Sequence, residues 1–152
     1  MLKIIIEEPL DGEEEHIIVK CHELSAELQS ALKIIKAIDD KLIGTIGNKV
    51  FRIDPLDIFY IETVENRTFL YGEHDVYESK LKLYELEEQL ASKKFLRASK
   101  SFIVNLRAVR SLAPATQGKL EVGLVNGENI IASKHYASKF KIVLKTEKSN
   151  SL

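Results

Sequence analysis

Within residues 95–109, FLRASKSFIVNLRAV, Lys100 stands between Ser99 and Ser101, with Arg97 just upstream. Two other short stretches share this make-up. TVENRT (63–68) carries Asn66, Arg67 and Thr68, and ASKHY (132–136) carries Ser133, Lys134, His135 and Tyr136. Each sets short hydrogen-bonding side chains beside a cation, or beside a histidine that can donate. Such groups suit a duplex polyanion: Lys and Arg take phosphates or guanine edges, while Ser, Thr and Asn contact phosphate or base edges. Polar turn residues are common, so one stretch alone says little.

Charge gives the three stretches weight together. The formal net charge is −1, but it conceals an asymmetry. Residues 1–40 hold four Lys against ten Asp and Glu, whereas residues 93–145 hold eleven Lys and Arg against Glu121 and Glu128 alone. An acidic head on a basic tail points to a polyanionic partner for the tail.

Other chemistries find little footing. His16, His22, His74 and His135 make no H-E-x-x-H or paired metal spacing, and Gly44-x-x-Gly47 lacks the length and the Lys-Ser/Thr of a phosphate loop. Glu13 to Glu15 reads as a solvated acidic turn. Cys21, beside His22, reads as a small apolar residue at a strand end, not an activated thiol. No catalytic residue, metal site or cofactor is expected. A single cysteine excludes an internal disulfide framework and favours a reducing compartment. The N-terminus is charged by its eighth residue, and no apolar run approaches the roughly 20 residues of a membrane helix. The expectation is a soluble cytoplasmic protein.

The elements that must hold the three stretches are mostly strands. Residues 1–40 read as an acidic ββα segment: strands at Ile4–Ile6 and His16–Val19, then a helix from Glu23 to Ile38 with Leu24, Leu28, Ala31, Leu32, Ile35 and Ile38 on one stripe. From Lys41 the pattern is β. KLIGTI and KVFRI flank the two-residue loop Gly47-Asn48, IFYIE and RTFLYG flank a turn at Glu65-Asn66, and Asn126-Gly127 joins KLEVGLV to ENIIAS. Leu83, Leu86 and Leu90 mark a helix over 81–91, and a last helix is expected over 134–144 behind Ser133. Residues 146–152 read as a disordered tail. This is an antiparallel β domain, not a wound βαβ sheet.

The stretches IFYIETVENRTFLYG (58–72), YESKLKLYELEEQLASKKFLRASKSFIVNLRAVRSL (77–112) and LVNGENIIASKHYASKF (124–140) together resemble the LytTR family of bacterial DNA-binding domains. The most specific part is F-x-R-x-x-x-S-F-I-V-N, Phe95 to Asn105. The resemblance covers roughly residues 41–145. It implies an elongated, mainly β fold of about ten short antiparallel strands in small sheets. It also implies double-stranded DNA as partner, read by side chains from three loops that enter successive major grooves. Carried over residue by residue, the base-reading positions fall on Thr68, Lys100 and His135. Ser101, Ser133, Tyr136 and Asn66 match positions that hold phosphates, and Arg97 and Asn105 match the motif in a partly structural role, Asn105 tying a loop. Lys100 lacks the arginine fork, so its discrimination is expected to be modest. His135 stands where many relatives carry Arg; protonated it adds a charge, so acidic pH should tighten binding.

The expected function is a sequence-specific transcriptional regulator, not an enzyme. The alternative is a basic module that binds an acidic protein or membrane surface without reading sequence. Only forty residues precede the resemblance, too few for the receiver domain found in many LytTR proteins, so phosphorylation control within this chain is not expected. A homodimer through the head is expected; packing of the head on the DNA-binding part, or autoinhibition by it, is left open. A membrane-protein partner is not visible in these residues.

Overall fold

The computed structural model describes residues 2–150, with side chains described for residues 2–36 and 40–144. The chain divides into two units, Met1–Ala37 and Ile38–Leu152. In the first, the expected strands at Ile4–Ile6 and His16–Val19 do not form: residues 2–22 carry no ladder among the described residues. They stay irregular on either side of a tight turn in which the Glu13 N–H donates to the Leu10 carbonyl at 2.9 Å, with Gly12 at φ +83°. Isoleucine runs have the propensity for strand, but a strand exists only with a partner. Cys21 is exposed, not tucked at a strand end. The helix does form as α1 (Ala26–Asp39), and the Ser25 hydroxyl caps it by accepting from the Leu28 N–H at 3.2 Å.

Among the described residues the second unit holds ten strands. β1 (Leu42–Ile46), β2 (Lys49–Ile53), β3 (Ile58–Val64), β4 (Arg67–Gly72), β5 (Val76–Ser79), β6 (Phe95–Arg97) and β7 (Phe102–Asn105) form one antiparallel sheet in the order β2-β1-β5-β4-β3-β7-β6. A second sheet runs β10-β9-β8, from β8 (Val109–Pro114), β9 (Leu120–Leu124) and β10 (Asn129–Ala132). Gly47-Asn48 and Glu65-Asn66 form the expected two-residue turns, whereas the Asn126-Gly127 hairpin closes through a longer loop, because Gly123 pairs with Asn129 and Leu124 faces Glu128. Gly47 takes φ +58° and Gly127 φ +89°, which a side chain would disfavour, while Glu65 and Asn66 adopt positive φ despite theirs.

Alternation along β3 and β7 explains two cores. Tyr60 pairs with Val104 and Ile61 with Ile103, so successive residues bury on opposite faces of the large sheet. Tyr60 and Val104 join Leu106, Leu120, Val122, Leu124, Ile130 and Phe140 in one cluster. Ile61 and Ile103 join Leu42, Ile58, Leu70 and the stripe Leu83, Leu86 and Leu90 of α2 (Leu83–Gln89) in the other. A strand covered on both faces reads as a continuous apolar run, as IFYI does.

The last helix, α3 (Lys134–Asn150), is longer than expected. Residues 146–150 of the expected disordered tail continue the helix, because nothing between 134 and 150 is Gly or Pro. Residues 151 and 152 lie outside the described residues. Phe140 is fully buried and Tyr136 and Val143 are half-buried, so the expected inward face of this helix is present.

Candidate nucleic-acid interface

The connection between β6 and β7 is the centre of the site. Ala98 is fully buried, and its N–H bonds the Phe102 carbonyl at 2.9 Å, closing a tight loop. Inside it the Ser101 N–H donates to the Ser99 hydroxyl at 3.2 Å, and the two hydroxyls lie 3.3 Å apart. Arg97 is the clamp. Its Nε donates to the Ser99 carbonyl at 2.8 Å, Nη2 to the Lys100 carbonyl at 2.9 Å, and Nη1 to the Glu87 carboxylate on α2 at 2.9 Å. A guanidinium fork suits this task, because one rigid plane serves three acceptors. Held this way, Lys100 is exposed at the loop tip.

Two backbone bonds join this loop to the other two expected stretches. The Thr63 N–H donates to the Ser101 carbonyl at 2.9 Å, at the end of β3 that leads into the Glu65-Asn66 turn. The Ser133 N–H donates to the Ala98 carbonyl at 2.9 Å, at the end of β10 that leads into α3. The middle loop is thereby bonded to the strand ends that lead into the other two stretches.

Asn105 lies 2% exposed behind that surface. Its amide Nδ2 donates to the Ile58 carbonyl at 2.9 Å, and its Oδ1 accepts from the Arg107 N–H at 3.0 Å. It ties the exit of β7 to the start of β3. Both ends of its side chain are spent on these two backbone groups.

A family model described as the LytTr DNA-binding domain matches residues 48–145, nearly two-thirds of the chain. This chain belongs to the LytTR family. The protein LytT of Enterococcus faecalis, a sensory transduction protein, is 26% identical over 94 residues, 62% of this chain and 39% of that protein. An uncharacterised HTH-type transcriptional regulator of Staphylococcus aureus is 25% identical over 130 residues, 84% of this chain and 88% of that regulator. Coverage that broad cannot fit within residues 48–145 and the short tail, so this similarity extends into the N-terminal stretch. Among solved structures, the LytTr DNA-binding domain of a Bacillus cereus protein described as a methyl-accepting/DNA response regulator superposes with a TM-score of 0.65 at 26% identity, covering 68% of this chain and 95% of that domain. The helices here are parted by strands, so the helix-turn-helix of the staphylococcal name belongs to that protein's description.

On the LytTR surface the expected residues fall into two groups. Lys100, Asn66, Lys134 and His135 are exposed, and Ser99, Ser101, Ser133 and Tyr136 are half-buried beside them. Thr68, expected to read a base, is 5% exposed, with its hydroxyl 3.3 Å from that of Thr63 across the β3–β4 pair. Thr68 shares strand parity with the buried Leu70, which turns it inward. Arg67 is exposed but engaged: Nε and Nη2 bond both oxygens of Glu78 at 3.0 and 2.7 Å, and the guanidinium lies 5.3 Å from the Phe69 ring centroid. The hydrogen bonds from Arg67 hold the Glu78 carboxyl below its ordinary range, so the pair persists as pH falls until that lowered range is reached. A cation neutralised in this way offers little to a phosphate. Arg67→Ala should therefore change DNA affinity by no more than about twofold, against about tenfold or more for Lys100→Ala, in parallel anisotropy titrations.

Two further exposed residues stand beside these positions, Glu65, expected only as a turn residue, and Lys139, not singled out in the sequence. Glu65 is exposed at the tip of the first turn beside Asn66. Lys139 places its ammonium 5.7 Å from the centroid of the Tyr136 ring, whose edge-on neighbour is His135 at 4.8 Å. Helical spacing of three from Tyr136 to Lys139 was the available signal. The described residues contain no group of three or more His, Cys, Asp or Glu able to hold a metal, and no helix long and apolar enough to cross a membrane.

Proposed function

We propose that this LytTR protein is a cytoplasmic transcriptional regulator that recognises its operator by inserting loop side chains into successive major grooves of double-stranded DNA. The observation that supports the reading is the pair of backbone bonds, Thr63 to Ser101 and Ser133 to Ala98, which join the middle loop, with Lys100 exposed at its tip, to the strand ends leading into the other two. Lys100 takes a guanine edge from the middle loop and His135 takes a base edge from the third. In the first loop the reading passes from the buried Thr68 to the exposed Asn66 and Glu65; a carboxylate repels phosphate but accepts from cytosine N4. Ser99, Ser101, Ser133, Lys134 and Tyr136 hold the sugar-phosphate backbone, with Lys139 alongside. Arg97 and Asn105 position the loops, and Arg67 contributes through its Glu78 pair to the shape of the first turn. The reading requires no cofactor and no small-molecule substrate. Two copies bind together, so that their contacts span two half-sites.

Binding-site selection from a random duplex library tests this. The expected result is enrichment of a short motif repeated at about one helical turn, 10–10.5 base pairs centre to centre. A module that merely presents a basic face to an acidic protein or a membrane would enrich nothing, and its DNA binding would collapse with salt.

A further inference from the structure

Residues 2–22 expose apolar surface that nothing in their own unit covers. Ile4, Ile5, Ile6, Ile17 and Ile18 are all largely exposed, Ile6 reaching 92%. Both alternating sets stand in the open, so neither side of these segments has a cover. Their backbone donors and acceptors form no ladder among the described residues. On α1, Leu28 and Leu32 are only half-buried, and Leu24 and Ile35 are exposed. Unpaired backbone, uncovered isoleucines and an open helical stripe therefore lie within one short stretch. Each alone is tolerable; together they describe half of a two-layer structure.

The distribution of charge identifies the other half. The head is strongly acidic, which at first opposes association with a like-charged copy. Within residues 2–22, however, the acids are segregated, the other four of the head being Glu23, Glu27, Asp39 and Asp40, from just ahead of the helix onward. Glu7, Glu8, Asp11, Glu13, Glu14 and Glu15 all lie at the turn, whereas residues 2–6 (LKIII) and 16–20 (HIIVK) contain no acid and carry Lys3 and Lys20. Two such heads laid antiparallel bring the lysine-bearing ends of one toward the acidic turn of the other. We infer that residues 2–6 and 16–20 of two copies of this chain pair as an intermolecular antiparallel sheet, with the open stripes of the two α1 helices packed against it. The inference deepens the two-copy part of the proposed function and supplies its interface. A stable interface uses roughly 20–30 residues a side, which the head provides within residues 2–36. The isoleucine runs then acquire the strand partner that a single chain does not give them.

The test is the solution mass of the full chain by light scattering at about 10 µM, without DNA. The wild type is expected to show twice the 17.2 kDa of one chain. The double variant Ile5→Glu/Ile18→Glu should show a single-chain mass with the far-UV circular dichroism of the β domain unchanged, since both positions lie outside it. Wild type at single-chain mass overturns the inference, including the case in which it sediments with anionic vesicles instead. So does a double variant that keeps the two-chain mass, because the interface would then lie elsewhere. Mass is read without DNA, so a failure here leaves the loop reading standing. Conversely, a two-chain mass with no sequence preference in DNA binding would reject the loop reading alone.

Discussion

Asn105→Ala should unfold the domain at a markedly lower denaturant concentration than wild type while leaving the slope of the transition unchanged. The side chain removed is buried and serves two backbone groups: the Ile58 carbonyl and the Arg107 N–H. Alanine fills neither bond, and a buried polar group left without a partner costs about 1–3 kcal/mol. The buried Ile58 carbonyl should carry most of the cost, since Arg107 is exposed and water can reach its N–H, giving roughly 1–3 kcal/mol, a large share of the stability of a small domain. For a unit of this size that corresponds to a fall in Tm of order 10 °C. Asn105→Asp distinguishes the two bonds. It keeps the acceptor for Arg107, but it faces the Ile58 carbonyl with a carboxylate and should be no better than alanine. Urea titration of the three proteins is the check. An Asn105→Ala midpoint within experimental scatter of wild type would show that water substitutes for the side chain.

Arg97→Ala has its largest effect on recognition. The guanidinium donates to the carbonyls of Ser99 and Lys100 at the loop tip and gives its third bond to the Glu87 carboxylate on α2. Its side chain is 18% exposed, and water entering the space left by alanine can satisfy the vacated acceptors but cannot bind them to one another. Without the clamp, Lys100 keeps its charge but loses its fixed position. Binding to the selected operator should weaken by about tenfold, or about 1.4 kcal/mol, while binding to a scrambled duplex, which needs charge and not geometry, should change by less than threefold. Arg97→Lys should recover little, because an ammonium on a flexible stem does not reproduce the fork. The discriminating readout is the ratio of the two affinities. A purely structural role would lower the melting temperature and weaken both duplexes in parallel.

Particular residues show what the sequence makes legible. The hairpins were readable because Gly47 and Gly127 occupy positive φ, where other residues are strained, although of these two loops only Gly47-Asn48 is two residues long and the one holding Gly127 is longer. The leucine stripe of α2 followed from period alone, whereas the two-faced burial of β3 shows only once both covering layers are in place. Thr68 misled because the match of motif to position outweighed strand parity: the alternation through Thr68 and Leu70 already turned it inward. The isoleucine runs of the head misled for a different reason. Propensity is local but pairing is not, and no partner for them lies in the same unit. The tail read as frayed from its polar composition, yet without Gly or Pro nothing stops α3 before Asn150. The Arg97 clamp was out of reach, since two of its acceptors are backbone carbonyls whose direction depends on the turn they sit in. The two bonds that join the three loops are likewise backbone to backbone and leave no mark in residue types.

The central claim is that the three joined loops read sequence, and fluorescence anisotropy addresses it directly. The duplex enriched by selection and a scrambled duplex of equal length are titrated with wild type and with Lys100→Ala at several salt concentrations. The account predicts that wild type prefers the enriched duplex by at least about a thousandfold at physiological salt, and that Lys100→Ala gives up about 1–3 kcal/mol of that preference. Equal affinity of wild type for both duplexes, falling in parallel as salt rises, would contradict it and leave the surface a basic patch on a LytTR fold.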